Sequence, residues 1–292
     1  MNASRLHSAA LSFDIEDWFH PELVRNHVAS GDVRSVVHAG TSAILELLAR
    51  HRVQATFFLL GEVVRSHPAL VRSIADAGHE LACHGMTHRP LWALDRESFR
   101  AELRSFRAAL REALGHDPTI GYRAPTFSLD RSTAWAVGVL AEEGFRYDSS
   151  VFPLRVGLYG VTGAPRGIYR PSTADPGRAD DNGRVVEFPV AVGSLGPLPM
   201  PVAGGFYLRA LPIHLLTAVL DRVVRERPFV LYLHPWECVR DLPRVRLSPG
   251  GAFITYTGLA GVERKLEALI RRYSFATMAE ILEGVGALHP AA

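Results

Sequence analysis

Short apolar runs that stop abruptly at ionisable side chains, spaced by segments of helical periodicity, limit this chain to few folds. The first run, Ala9 to Ile15, ends among Asp14, Glu16 and Asp17. A helical pattern around Thr41 to His51 follows, then the run Ala55 to Leu60, a helix from about Pro68 to Ala77, and the run Glu80 to Cys83, which leads into His84 and His88. Apolar residues at three-to-four spacing bury one stripe of a helix, whereas a short continuous apolar run suits a strand covered on both faces. The rhythm is β-α-β. It continues with an amphipathic helix from Asp95 carrying Phe99, Leu103, Phe106 and Leu110, a short strand into Arg123, a helix over Ser132 to Glu143, and the segment Phe145 to Ser150. Gly78, Gly115 and Gly144 stand where such helices end on a left-handed residue.

Residues from about Pro153 to Gly205 are rich in Gly and Pro and predict loops and a hairpin without regular helices. The rhythm then resumes with a helix over about Pro212 to Glu226, the strand Phe229 to Leu233 ending at His234, and a last helix from about Gly261 to Arg272. Repeated strand-helix units predict a parallel α/β barrel or a related open sheet, read as a single unit over residues 1–292. In such a fold the C-terminal strand ends converge on one mouth, so polar groups far apart in sequence can surround one substrate.

Composition removes several other classes. At 48% hydrophobic and 21% charged residues the chain is neither disordered nor fibrous. A net charge of +2, with Lys265 the single lysine and the arginines dispersed, speaks against a nucleic-acid-binding stripe. No run approaches the roughly eighteen apolar residues of a membrane span. Acids at 14, 16 and 17 interrupt the N-terminal stretch before a signal-peptide core could form. Cys83 and Cys238 each lie near a histidine and form neither a C-x-x-C motif nor a disulfide framework, which suits a reducing compartment. A cytoplasmic location is expected.

The polar clusters carry the chemistry. In H-G-M-T-H, two imidazoles four residues apart can share a metal ion, with a carboxylate completing the protein ligands. Strand alternation puts Asp14 and Glu16 on one face and Asp17 on the other unless the strand has already ended, so one acid could bind the ion while another serves as general base. Arg123 in Y-R-A-P-T-F could pair with Asp14 and hold it oriented, or serve as a structural arginine in a pre-proline turn. The N–H of Thr126, just past Pro125, is a candidate oxyanion donor. His234 is the natural general acid for a departing amine, with Asp148 a candidate acceptor of its other ring N–H. Trp18 and Trp236 could offer sugar-stacking faces, although at least one is expected in the core.

Taken in order, F-D-I-E-D, His84 to His88, Arg123 to Pro125, Asp148 and Leu233-His234 resemble the motifs of the polysaccharide deacetylase family, carbohydrate esterase family four, across about residues 10–240. The resemblance implies a distorted (β/α) barrel with seven parallel strands, of the NodB-homology type. It implies a divalent ion, often zinc and sometimes cobalt, held by His84, His88 and a carboxylate, Glu16 or Asp17, and hydrolysis of N-acetyl groups on a glycan. It gives Asp14 the role of base, tethered by Arg123, and His234 that of acid, oriented by Asp148. The segments around Gly204 to Pro212 and Tyr256 to Phe275 resemble a C-terminal extension, over about residues 200–285, of deacetylases tied to bacterial exopolysaccharide and exosortase loci. Tyr207 and Arg209 would then touch the glycan or pack the extension onto the barrel. Two departures stand out: the usual pair of adjacent aspartates is replaced by Asp14, Glu16 and Asp17, and the Asp148 motif lacks a later tryptophan. A metal-independent amidohydrolase of the same fold, acting on a small ureide or cyclic amide, is the competing expectation, and a silent glycan-binding barrel a further one. The oligomeric state is left open.

Overall fold

A computed structural model describes residues 9–28 and 33–288; the leader reading, which concerns the first residues of the chain, falls largely outside them. The described strands are β1 (Ala9–Ile15), β2 (Thr56–Leu59), β3 (Glu80–Cys83), β4 (Gly121–Tyr122), β5 (Tyr147–Asp148), β6 (Val186–Glu187), β7 (Val192–Leu195), β8 (Leu198–Pro201), β9 (Phe229–Leu233) and β10 (Phe275–Ala276). The helices are α1 (Glu22–Arg25), α2 (Val37–His51), α3 (Gly61–Ser66), α4 (Pro68–Asp76), α5 (Arg96–Leu114), α6 (Trp135–Glu142), α7 (Gly205–Ala210), α8 (Ile213–Glu226), α9 (Pro249–Tyr256), α10 (Val262–Arg272) and α11 (Met278–Gly284).

Strands β1 to β6 pair in sequence order, all parallel, and β9 pairs with the other edge of β1. Just beyond β6, Val190 makes a parallel bridge to Val230 of β9, and Gly204 makes another to Tyr232. Those bridges bring the two ends of the sheet together, so β1 to β6 and β9 are the seven staves of a distorted (β/α) barrel. β10 lies beside the start of β1, pairing with Ala9 and Ala10 below the contact of β1 with β2. Because helices cover the outside, β1, β2 and β9 are buried along their whole length.

The helices end as their sequences require. Asp95 accepts from the Ser98 N–H at the start of α5, and Gly115 closes the same helix in the left-handed region at φ 81°. The Gly-rich stretch holds the expected hairpin, β7 with β8, but also β6, whose two residues are too few to carry a periodic signal. Helices α1, α3, α7, α9 and α11 and strand β10 are additions to the sequence-based expectation; each is short, and tertiary packing decides its form. One hydrophobic core runs through the staves and the helices that cover them. A smaller cluster of Trp18, Val24, Val36, Trp236 and Leu242 lies apart from it. Among the described residues no helix is long and apolar enough to cross a membrane.

Candidate active site and metal centre

Along β1 the side chains of Ser12 and Asp14 point into the barrel, and the alternation carries one residue further to bring Glu16 to the mouth. Arg123, at the end of β4 and completely buried, crosses the interior to meet them. Its Nη1 donates to Asp14 Oδ1 at 2.6 Å and to Ser12 Oγ at 2.9 Å, while Nε donates to the Ser149 carbonyl and Nη2 to Ser149 Oγ. The guanidinium also lies over the Phe58 ring, 4.0 Å from its centroid. Asp14 is therefore fixed in orientation from behind, with its remaining oxygen free to act.

His84 follows β3 directly, and its Nδ1–H donates to the Arg123 carbonyl at 2.9 Å, which turns Nε2 toward the mouth. His88 reaches the same point through a loop that Glu102 of α5 clamps: its carboxylate accepts the N–H groups of Met86 and Thr87 and the Thr87 hydroxyl. The backbone of His88 is left-handed, φ 54°, an unfavourable region for a residue with a side chain. Thr126 and Phe127, across the cavity, are left-handed too, so backbone strain gathers around this mouth.

Glu16 Oε2 lies 2.5 Å from His88 Nε2 and 3.8 Å from His84 Nε2, and one ligand atom from each of the three residues falls within 4.8 Å of the others. All three side chains are buried, and Glu16 Oε2 has no hydrogen-bond partner. Burial works against the Glu16 charge, but His88, His234 and His84 overcome it and hold the carboxyl far below its usual range. Burial also pushes His84 down to about 4, leaving a neutral imidazole with a free lone pair. A buried carboxylate oxygen facing two imidazole nitrogens is costly without a cation between them. Two nitrogens and one oxygen suit zinc and similar divalent ions, so these residues fit such an ion.

His234 stands at the end of β9 on the opposite side of Glu16, with Nε2 3.6 Å from Glu16 Oε1. Its ring stacks on Trp236, centroids 5.2 Å apart and planes 15° apart. Burial disfavours its charge, yet Glu16 first and Glu237 second raise the imidazole to about 9. Asp14, Glu16, His84, His88 and His234 all face one cavity of about 340 Å³, which Thr126, Tyr207 and Trp236 also line.

Three expectations need correcting. Asp17 is not aimed at the metal centre: its carboxylate accepts the N–H groups of Trp18 and Val36 and the Ser35 hydroxyl, tying the end of β1 to the start of α2. The carboxylate available to an ion is that of Glu16. Asp148 is not the partner of His234, because its Oδ1 accepts from Ser150 Oγ and its other oxygen faces Glu187, its register neighbour on β6. In its place Glu237 Oε1 accepts from His234 Nδ1 at 2.7 Å. Arg209 borders the cavity, but its guanidinium is committed to Glu237 and to backbone carbonyls, which leaves it packing the C-terminal region rather than free to meet a glycan. Trp18 is a core residue whose indole N–H donates to the Arg34 carbonyl. Glu237 was legible in principle: in H-P-W-E it stands three residues after a candidate acid, the spacing at which a carboxylate reaches back to the first residue of a turn, and it does accept the His234 backbone N–H.

A seven-stave barrel with a carboxylate and two imidazoles converging at the C-terminal mouth, and an arginine-clamped aspartate beside them, defines a class of α/β barrels built to hold a divalent ion next to a candidate base. Residues 7–146 match the family model described as Polysaccharide deacetylase, and that segment of the chain resembles the family throughout. Residues 149–283 match a second model, described as Domain of unknown function (DUF3473). A chitooligosaccharide deacetylase of Rhizobium leguminosarum bv. trifolii is 48% identical over 73 residues, 25% of this chain and 34% of its own length. A peptidoglycan-N-acetylglucosamine deacetylase of Bacillus cereus is 35% identical over 78 residues, 27% of this chain and 28% of its own. The chain spans about a third to two fifths of the length of the first curated relatives it matches. A solved structure from Mycobacterium smegmatis, assigned to the polysaccharide deacetylases, is 25% identical with a TM-score of 0.65, over 100% of this chain and 96% of that one. An allantoinase structure, 15% identical with a TM-score of 0.61 over 99% of this chain and 94% of its own, shares the fold.

Proposed function

We propose that this protein is a metal-dependent deacetylase that removes N-acetyl groups from the amino sugars of a bacterial polysaccharide or its precursor. The observation that carries this reading is the convergence of Glu16, His84 and His88 on one point of a cavity that Asp14 and His234 flank from two sides. Glu16, His84 and His88 would hold a divalent ion, zinc by preference and cobalt as a substitute. When bound, that ion would polarise the acetamide carbonyl and favour ionisation of a water at the site. Asp14, braced by Arg123, takes the proton of the attacking water. The backbone N–H of Thr126, a residue of the cavity wall, would donate to the developing oxyanion. His234 hands a proton to the departing amine, since an amide nitrogen leaves poorly without one. Tyr207 supplies a flat face for the sugar, whereas Trp236, buried and stacked on His234, backs the imidazole instead.

The relatives named as chitooligosaccharide and peptidoglycan deacetylases support an N-acetylated glycan as substrate. An exopolysaccharide setting rests on the resemblance of the C-terminal extension, and a cytoplasmic one is supported by the free thiols of Cys83 and Cys238. The intact Glu16, His84 and His88 cluster tells against a metal-independent amidohydrolase. The direct test is acetate release from N-acetylated chitooligosaccharides, with metal content measured on the same preparation. Asp14→Asn and His234→Ala should each lower turnover by about 100-fold or more; wild-type rates in either variant, or full activity in a protein free of divalent metal, would sink the proposal.

A further inference from the structure

Glu237 does more than touch His234. One oxygen, Oε1, accepts both the His234 ring N–H at 2.7 Å and the His234 backbone N–H at 3.2 Å. The other, Oε2, accepts from Arg209 Nε at 2.7 Å, and both side chains of that pair are almost wholly excluded from solvent. The remaining Arg209 nitrogens donate to main-chain carbonyls of Ile254, Thr255 and Thr257, at the end of α9 and just after it. Every nitrogen of this guanidinium therefore donates to Glu237 or to the chain that wraps behind it.

The scaffold around the pair is cut to fit it. A methyl group at Gly205 would overlap the Glu237 carboxylate, so the first turn of α7 needs glycine to let that carboxylate approach. Gly258, left-handed at φ 73°, brings the chain against the Arg209 backbone, where a methyl group would meet the Arg209 carbonyl at 2.8 Å. Lys265 of α10 donates to the carbonyls of Leu208, Arg209 and Leu211, pinning the C-terminal end of α7. The single lysine of the chain is thus spent on holding the short helix that carries Arg209. All of these residues, and His234 itself, fall within the 149–283 segment whose family has no assigned function.

We propose that this segment completes the catalytic centre: Arg209 and Glu237 are positioning residues that fix the tautomer and aim of His234, a task that Asp148, bonded to Ser150, does not perform. A carboxylate behind the ring N–H of a histidine keeps the opposite nitrogen turned to the substrate, and a buried carboxylate stays charged only with a buried partner of its own. Without Arg209, Glu237 is left as an unpaired buried charge that takes up a proton or moves, and the imidazole loses its guide. This inference rests on the deacetylase reading for the acid role of His234, while the placement of the three side chains stands apart from it.

The experiment uses the full chain loaded with zinc and two substrates. An N-acetylated chitooligosaccharide has an amine leaving group that needs a proton; 4-nitrophenyl acetate releases a phenolate that needs none. In Arg209→Gln and Glu237→Gln, kcat on the oligosaccharide should fall by about 100-fold, with KM changed little and ester turnover within about threefold of wild type. Arg209→Lys should recover part of the loss. In the zinc-free protein, the ring Nδ1 proton of His234 should resonate far downfield by NMR in the wild type and lose that position in Arg209→Gln. Parallel loss on both substrates, or no loss on either, would overturn the positioning role. Should the wild type leave the oligosaccharide intact, the deacetylase reading fails, and the His234 proton signal alone decides whether Arg209 holds the ring.

Discussion

At the scale of single residues, the two acids that the sequence could not rank are separated by what each touches. Glu16 has a buried oxygen with no hydrogen-bond partner, while both oxygens of Asp17 are occupied by donors from the start of α2. Glu16→Gln should therefore weaken zinc binding by about 100-fold or more with a small change in melting temperature. Asp17→Ala should bind zinc as the wild type does and lose about 2 kcal/mol of stability. Isothermal titration with zinc and thermal melts of both variants check this; a zinc defect in Asp17→Ala would return that residue to the ligand set. The order of the polar clusters was readable because each follows an apolar run, and strand alternation already grouped Asp14 with Glu16. Partnerships were harder. The carboxylate behind His234 comes from the same turn, whereas the one expected there, Asp148, bonds to Ser150 beside it and faces the neighbouring strand. Sequence distance says nothing about which of two acids has room to approach.

At the scale of elements, β5 and β6 present a second buried acid pair that the proposed reaction does not use. Asp148 and Glu187 are register partners on these strands, both fully buried, and each has one oxygen without a hydrogen-bond donor. Burial lifts Asp148 to about 6; burial and then the Asp148 charge lift Glu187 well above the ordinary carboxylate range. Two adjacent carboxyls in an apolar setting cannot both ionise, so the pair shares a proton. Folded values raised above those of the unfolded chain make this pair most favourable below about pH 4, and its contribution is lost as pH rises through 6 and beyond. Glu187→Gln supplies a permanent donor and keeps the acceptor that the Val151 N–H uses. Its melting temperature relative to wild type should rise between pH 5 and pH 8 by about 2–4 °C; an equal difference at both values would refute the shared proton. Strand β6 itself was invisible in the sequence, since two residues amid glycines and prolines have no period to read. The longer elements, α5 and β9 among them, were read almost to the residue because burial of a stripe or of both faces leaves a pattern.

At the scale of the whole molecule, the barrel is shared between the two segments that separate family models recognise. Strands β1 to β4 lie in residues 7–146 and β5 straddles the junction; β6 and β9 lie in 149–283. A fragment ending at residue 146 would lose β9 from one edge of β1 and would carry an exposed, strongly apolar sheet. It should fail to melt cooperatively and should aggregate, as gel filtration and circular dichroism would reveal; a soluble, cooperatively folded fragment would contradict the architecture described here. The closure at Val190 with Val230 and at Gly204 with Tyr232 has a further effect. The proposed base and metal ligands come from the first segment and the proposed acid from the second, so on that reading neither can be exchanged, shortened or drift in register without moving half of the chemistry. In hereditary terms the two segments form one unit of selection: recombination between them would have to preserve a seam of backbone bonds as well as the side chains that face each other across it.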